Sequence, residues 1–158
     1  MSPSEPPMVF LVDDHPLVRE ALGQLLAGAG MTVAGQADGN ATALAHPALA
    51  ASRLAVVDLA LGEENGIDLI KRLTARGLAV VVYSMHEGST VIRRALDAGA
   101  AGYVTKREAA QSLLEAIRAV LAGDRYLSPR VMAALREMTP LDLGEGYQRK
   151  SDRHQAQA

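Results

Sequence analysis

The feature that most constrains this chain is a series of short, continuous apolar runs, each stopping abruptly at a polar residue. Met8-Val9-Phe10-Leu11-Val12 stops at Asp13-Asp14, and Leu54-Ala55-Val56-Val57 stops at Asp58. Leu78-Ala79-Val80-Val81-Val82-Tyr83 stops at Ser84, and Ala101-Gly102-Tyr103-Val104 stops at Thr105-Lys106. Met31-Thr32-Val33-Ala34-Gly35 is a weaker run of the same kind. A strand that is apolar on both faces belongs inside a sheet covered from both sides.

The stretches between these runs carry helical spacing. Val18, Leu22, Leu25 and Leu26 share one face of a helix wound from Leu17 to Ala27. Ile67, Ile70 and Leu73 recur in the same way, as do Val91, Ile92, Ala95 and Leu96, and then Leu113, Leu114, Ile117, Val120 and Leu121. Asn40 to Leu49 is Ala-rich, with Pro47 near its end. Gly28, Gly77, Gly99 and Gly123 follow helical stretches as stop signals do. Five strands alternating with five helices predict an α/β fold. Its doubly wound five-stranded parallel sheet takes the flavodoxin-like order 2-1-3-4-5. The expected organisation is a disordered leader over 1–7, a domain over 8–123, an appended helix within 124–138 and a polar, disordered tail over 139–158.

Composition removes several classes of function. The 158 residues include no cysteine, which excludes disulfides, thiolate metal sites and cysteine nucleophiles. Sixteen basic and eighteen acidic residues leave a formal charge of -2, so nothing pulls the chain toward nucleic acid or an anionic membrane. No apolar run approaches the roughly 18 residues that span a bilayer, and Met1 to Pro7 lacks the pattern of a signal peptide. A soluble, cytoplasmic protein is expected.

In such a sheet, ligands bind outside the carboxyl ends of the strands. Asp13, Asp14 and Asp58 then converge on one edge, with Ser84 and Lys106 at neighbouring strand ends. Three carboxylates at short range repel one another and call for a cation. Oxygen ligands select a hard ion such as Mg2+. With Lys106 opposite, the edge suits a phosphoryl group, and Asp58 is placed to attack phosphorus. Blander readings exist for each residue alone: Asp13-Asp14 as a helix cap, Lys106 as a surface lysine, Ser84 as a turn serine, Tyr103 as a core aromatic. His15, His46, His86 and His154 do not cluster in sequence and are read as solvated or capping. Glu63-Glu64 is read as an exposed acidic turn, and the stretch from Gln148 to His154 as a solvated tail.

Leu11-Val12-Asp13-Asp14-His15-Pro16, Val57-Asp58-Leu59, Tyr83-Ser84-Met85-His86 and Gly102-Tyr103-Val104-Thr105-Lys106 resemble the signature segments of two-component response-regulator receiver domains. The Asp-Asp-His-Pro form and the segment from Ala122 to Pro129 resemble the NarL/FixJ branch, and the similarity runs from about Met8 to Met138. The resemblance implies that Asp58 is the phosphoacceptor. It implies that Asp13, Asp14, Asp58 and the backbone carbonyl of Ala60 hold Mg2+, and that Lys106 and Ser84 contact the phosphoryl group. Ser84 and Tyr103 would form the switch, acting on the surface of the fourth helix, fifth strand and fifth helix. A sensor histidine kinase is the implied donor, and a downstream protein or a second copy the implied partner. The only catalysis implied is the domain's own phosphorylation and dephosphorylation.

Two departures stand out. Leu61-Gly62-Glu63-Glu64-Asn65-Gly66 replaces the family's usual Met-Pro loop, losing the proline and adding two acids. After Met138-Thr139-Pro140-Leu141 the sequence lacks the apolar period of the helix-turn-helix that normally follows, so direct DNA binding is not expected. The alternatives are a receiver-fold module that works without phosphorylation, or a regulator that has lost its DNA-binding domain.

Overall fold

The computed structural model describes residues 5–61 and 64–137. The expected disordered tail over 139–158 and the start of the leader lie outside the described residues, as do Gly62 and Glu63 of the departing loop. Among the described residues, eight strands and six helices follow in order: β1 (Met8–Val12), α1 (Pro16–Gly28), β2 (Thr32–Ala37), α2 (Asn40–Ala45), β3 (Leu54–Val57), β4 (Ala60–Leu61), β5 (Glu64–Asn65), α3 (Gly66–Ala75), β6 (Ala79–Ser84), α4 (Ser89–Asp97), β7 (Gly102–Thr105), α5 (Ala110–Leu121), β8 (Tyr126–Leu127) and α6 (Pro129–Arg136). A 3-10 turn over Pro47–Ala51 splits the predicted second helix, because Pro47 cannot donate to a continuing helical ladder.

The main sheet has the order β2-β1-β3-β6-β7-β8, every pair parallel. Setting aside the small β4-β5 ribbon, this is the expected 2-1-3-4-5 arrangement with one strand more. Alternation along the strands divides the core in two. Phe10, Val12, Ala55, Val57, Val80, Val82 and Tyr103 face α2, α3, α4 and α6. Val9, Leu11, Leu54, Val56, Val81 and Val104 face α1 and α5. Both faces of the inner strands are thus dry, as their unbroken apolar runs require. Leu73 of α3 and Ile117 of α5 are fully buried, and truncating either to Ala would cost about 2–5 kcal/mol.

The sequence did not show β8. Its two residues pair with Gly102 and Tyr103 of β7, and Ser128 N–H donates to Tyr103 O at 3.1 Å. A Cβ on Gly102 would lie 3.3 Å from Tyr126 O, so the missing side chain gives the new strand room. Helix α6 then turns back over the sheet and buries Val131 in the core. The leader is also partly tied down, since Pro7 O accepts from Thr32 N–H at 2.9 Å. Gly28 is the last residue of α1 rather than its stop, and Gly30 takes the left-handed conformation that closes that helix (φ 80°).

Candidate functional site

The sheet brings the carboxyl ends of β1, β3, β6 and β7 side by side. Asp58 N–H donates to Val12 O and Lys106 N–H to Ser84 O, each at 2.9 Å. Both residues therefore continue the ladder one step beyond their strands, which fixes their side chains at the same edge.

The carboxylates of Asp13 and Asp58 are almost fully buried, and such neighbours repel unless a cation lies between them. Lys106 supplies it. Its Nζ donates to Asp13 Oδ2 at 2.8 Å and to Asp58 Oδ2 at 2.9 Å. Burial by itself would raise the Asp13 carboxyl, but hydrogen bonds from Lys106 and the His15 amide, with the lysine charge, hold it below its ordinary value. Burial would likewise lower Lys106, yet its bonds to Asp13 and Asp58 hold the ammonium above its ordinary value. Asp13 and Lys106 are therefore both held in their charged forms, and one lysine serves two buried acids.

The remaining carboxylate oxygens carry the metal question. Asp58 Oδ1 accepts from Ala60 N–H at 3.1 Å, which draws the peptide of Ala60 to the site. Asp13 Oδ1 accepts from His15 N–H at 2.9 Å. His15 Nδ1 lies 3.0 Å from Asp13 Oδ1 and 2.8 Å from Asp14 Oδ1; the hydrogen bond it makes is with Asp13. Asp14 Oδ1 is left buried with no hydrogen-bond partner. Ligand atoms of Asp13, Asp14, His15 and Asp58 all lie within 4.8 Å of one another. A buried oxygen with no hydrogen bond, beside two more acids sharing one lysine, leaves room for a further cation. These oxygens fit a hard, oxygen-seeking divalent cation such as Mg2+.

Ser84 and Tyr103 meet beside this edge. Both are fully buried. Ser84 Oγ accepts from His86 N–H at 3.2 Å, and the Tyr103 hydroxyl donates to His86 O at 2.6 Å. Burial pushes the Tyr103 phenol well above its ordinary range, so it is a neutral donor. Tyr103 already points inward, and the described bonds of Ser84 run to the loop after β6 rather than to Asp58.

Behind Asp58, Asn65 caps α3, its Oδ1 accepting from Ile67 N–H at 2.9 Å. A Cβ on Gly66 would fall 2.8 Å from Leu59 Cα. Only glycine lets α3 begin so close behind the loop that follows Asp58.

The structure thus gathers Asp13, Asp14, Asp58, Ala60 and Lys106 at one point and sets Ser84 with Tyr103 next to it. His15 is exposed and stands at the N-cap of α1, as its solvated or capping reading expects, and it also touches both acids, which sequence reasoning passed over. That reasoning also passed over Glu87 and Arg130, whose side chains meet across 43 residues of chain in a two-point ion pair. No local motif marks that pairing.

A family model described as the response regulator receiver domain matches residues 9–118. The chain belongs to that family. Among curated receiver-containing proteins, it is 32% identical over 150 residues to the response regulator GacA of Pseudomonas aeruginosa, covering 92% of this chain and 70% of that one. It is 30% identical over 128 residues to the transcriptional regulatory protein UhpA of Salmonella typhimurium, covering 80% and 65%. A crystal structure of a LuxR-family two-component response regulator from Aurantimonas sp. SI85-9A1 superposes with a TM-score of 0.79 at 32% identity, covering 84% of this chain and 97% of that one. The receiver spans 56% and 62% of the length of two other curated relatives it matches. Among the described residues, no helix is long and apolar enough to cross a membrane.

Proposed function

We propose that this receiver accepts a phosphoryl group on Asp58 from a sensor histidine kinase, with Mg2+ held by Asp13, Asp14, Asp58 and the Ala60 carbonyl. The observation that carries the reading is the buried Asp58 carboxylate, held by Lys106 beside an Asp14 oxygen that no hydrogen bond satisfies.

In the transfer, an Asp58 oxygen forms a bond to phosphorus as the phosphohistidine P–N bond breaks, and the imidazole nitrogen leaves with that electron pair. Bound Mg2+ supplies charge neutralisation for the transferring oxygens and the clustered acids. Lys106, already at hydrogen-bond distance, is placed to pair with a phosphoryl oxygen. Ser84 turns its hydroxyl toward the new group, and Tyr103 follows the loop that carries His86. Water later attacks phosphorus and releases inorganic phosphate, restoring the carboxylate. The domain catalyses only these two steps on itself.

The output is a change in the surface of α4, β7 and α5, read by a downstream protein or a second copy of the chain in the cytoplasm. The test is incubation with Mg2+ and acetyl phosphate or phosphoramidate, followed by intact mass. One phosphate should be added to wild type and none to Asp58→Asn. Unmodified wild type, or equal labelling of the variant, would refute the reading.

A further inference from the structure

The loop from β6 to α4 is held at three places within four residues. Ser84 Oγ accepts the His86 amide, His86 O accepts the Tyr103 hydroxyl, and the Glu87 carboxylate receives Arg130 of α6. The last contact is a fork. Arg130 Nε lies 2.5 Å from Glu87 Oε2 and Nη2 lies 3.0 Å from Oε1, with Arg107 Nη1 at 3.6 Å from the same Oε1. The hydrogen bond from Arg130 keeps the Glu87 carboxyl down at about 2, so the pair stays charged at any physiological pH.

Helix α6 depends on such anchors. It has eight residues, too few to persist in water on propensity alone. Its other hold is apolar: Val131 is buried against the same core face as Tyr103 and Ile92 of α4, and Ala134 and Leu135 pack against that core. A cleft of about 260 Å³ lies beside the ion pair, lined by Glu87, Arg130, Ala133, Ala134 and Glu137. A paired fork is directional and tolerates little displacement. Half of the Arg130 side chain is exposed, so the contact breaks and re-forms at modest cost.

We propose that the Glu87–Arg130 ion pair is the joint through which the state of Asp58 reaches α6 and the chain beyond it. The proposal rests on the phosphoacceptor reading above. When Ser84 turns to a phosphoryl group it gives up the His86 amide. Glu87, one residue further, is displaced with the loop, and α6 loses its ionic anchor while keeping only its apolar one.

Hydrogen exchange of the α6 amides tests this in the full chain, with phosphoramidate and Mg2+ and with phosphate incorporation read by intact mass. In wild type, phosphorylation should speed α6 exchange about two- to fivefold, the range an exposed ion pair supplies. Glu87→Gln should show that faster exchange before any phosphate is added and gain almost nothing afterwards, with exchange in α1 unchanged. The paired swap Glu87→Arg with Arg130→Glu should restore part of the response. Phosphorylated wild type with unchanged α6 exchange, or Glu87→Gln with the full response, overturns the joint and leaves the phosphoacceptor reading standing. Failure to incorporate phosphate overturns both.

Discussion

Lys106 and Asp58 meet across 48 residues of chain, Nζ to Oδ2 at 2.9 Å, in a pocket that leaves only 13% of the lysine and 3% of the aspartate side chain exposed. The same ammonium serves Asp13, so two buried acids share one cation. Lys106→Met should therefore destabilise the metal-free protein by about 3 kcal/mol, because it leaves uncompensated buried charge. Urea denaturation with and without Mg2+ checks it. The loss should shrink when Mg2+ is present, and unchanged stability in its absence would contradict the assignment.

The orphan oxygen of Asp14 sets a second expectation. Wild type should gain about 2.7 kcal/mol at Mg2+ a hundredfold above its Kd. Asp14→Asn should lose most of that gain while unfolding normally without metal. Thermal denaturation across a Mg2+ titration reads both. A variant that responds like wild type would remove Asp14 from the metal ligands.

The pH dependence follows from two shifts of opposite sense. Asp13 is held below its ordinary value of 3.8, so its contribution is present above that pH and fades as the pH falls through the lower folded value. Lys106 is held above 10.5, so its contribution is full below that pH and fades as the pH rises through the higher folded value. Between these limits the pair adds no slope. In Lys106→Met the acid limb should reverse, because burial without a partner favours protonated carboxyls. Denaturation midpoints of the two proteins, measured as the pH is lowered, separate these outcomes.

Gly66→Ala should cost about 1–3 kcal/mol, since the added Cβ meets the backbone of Leu59 rather than a yielding side chain. The strain lies directly behind Asp58, so phosphorylation should also slow. Chemical denaturation together with a phosphoramidate time course would show whether both effects appear.

Much of this was legible in the sequence because two-sided burial writes itself as unbroken apolar runs. Val9 to Val12, Leu54 to Val57 and Val80 to Val82 gave the strands, and the polar residue ending each gave the edge where Asp13, Asp58, Ser84 and Lys106 gather. Tyr126-Leu127 stayed hidden because two residues have no period. Pro47 was visible, but the 3-10 turn it starts was not. His15 is solvated as read, but its contact with the acids stayed hidden because it depends on how α1 leaves β1. Glu87 and Arg130 are ordinary charged residues whose pairing exists only once α6 folds back over the sheet.

The short strand β8 has a consequence of another kind. Without it, Gly102 to Thr105 would present a bare row of amides and carbonyls, an open template for a strand from another molecule. Tyr126 and Leu127 occupy part of that row, and Pro129 soon follows, with no amide hydrogen to offer an incoming chain. The segment that leads into α6 thereby leaves less of that row open to a strand from another molecule. Shortening the chain before Asp124 should expose the row and raise its tendency to aggregate.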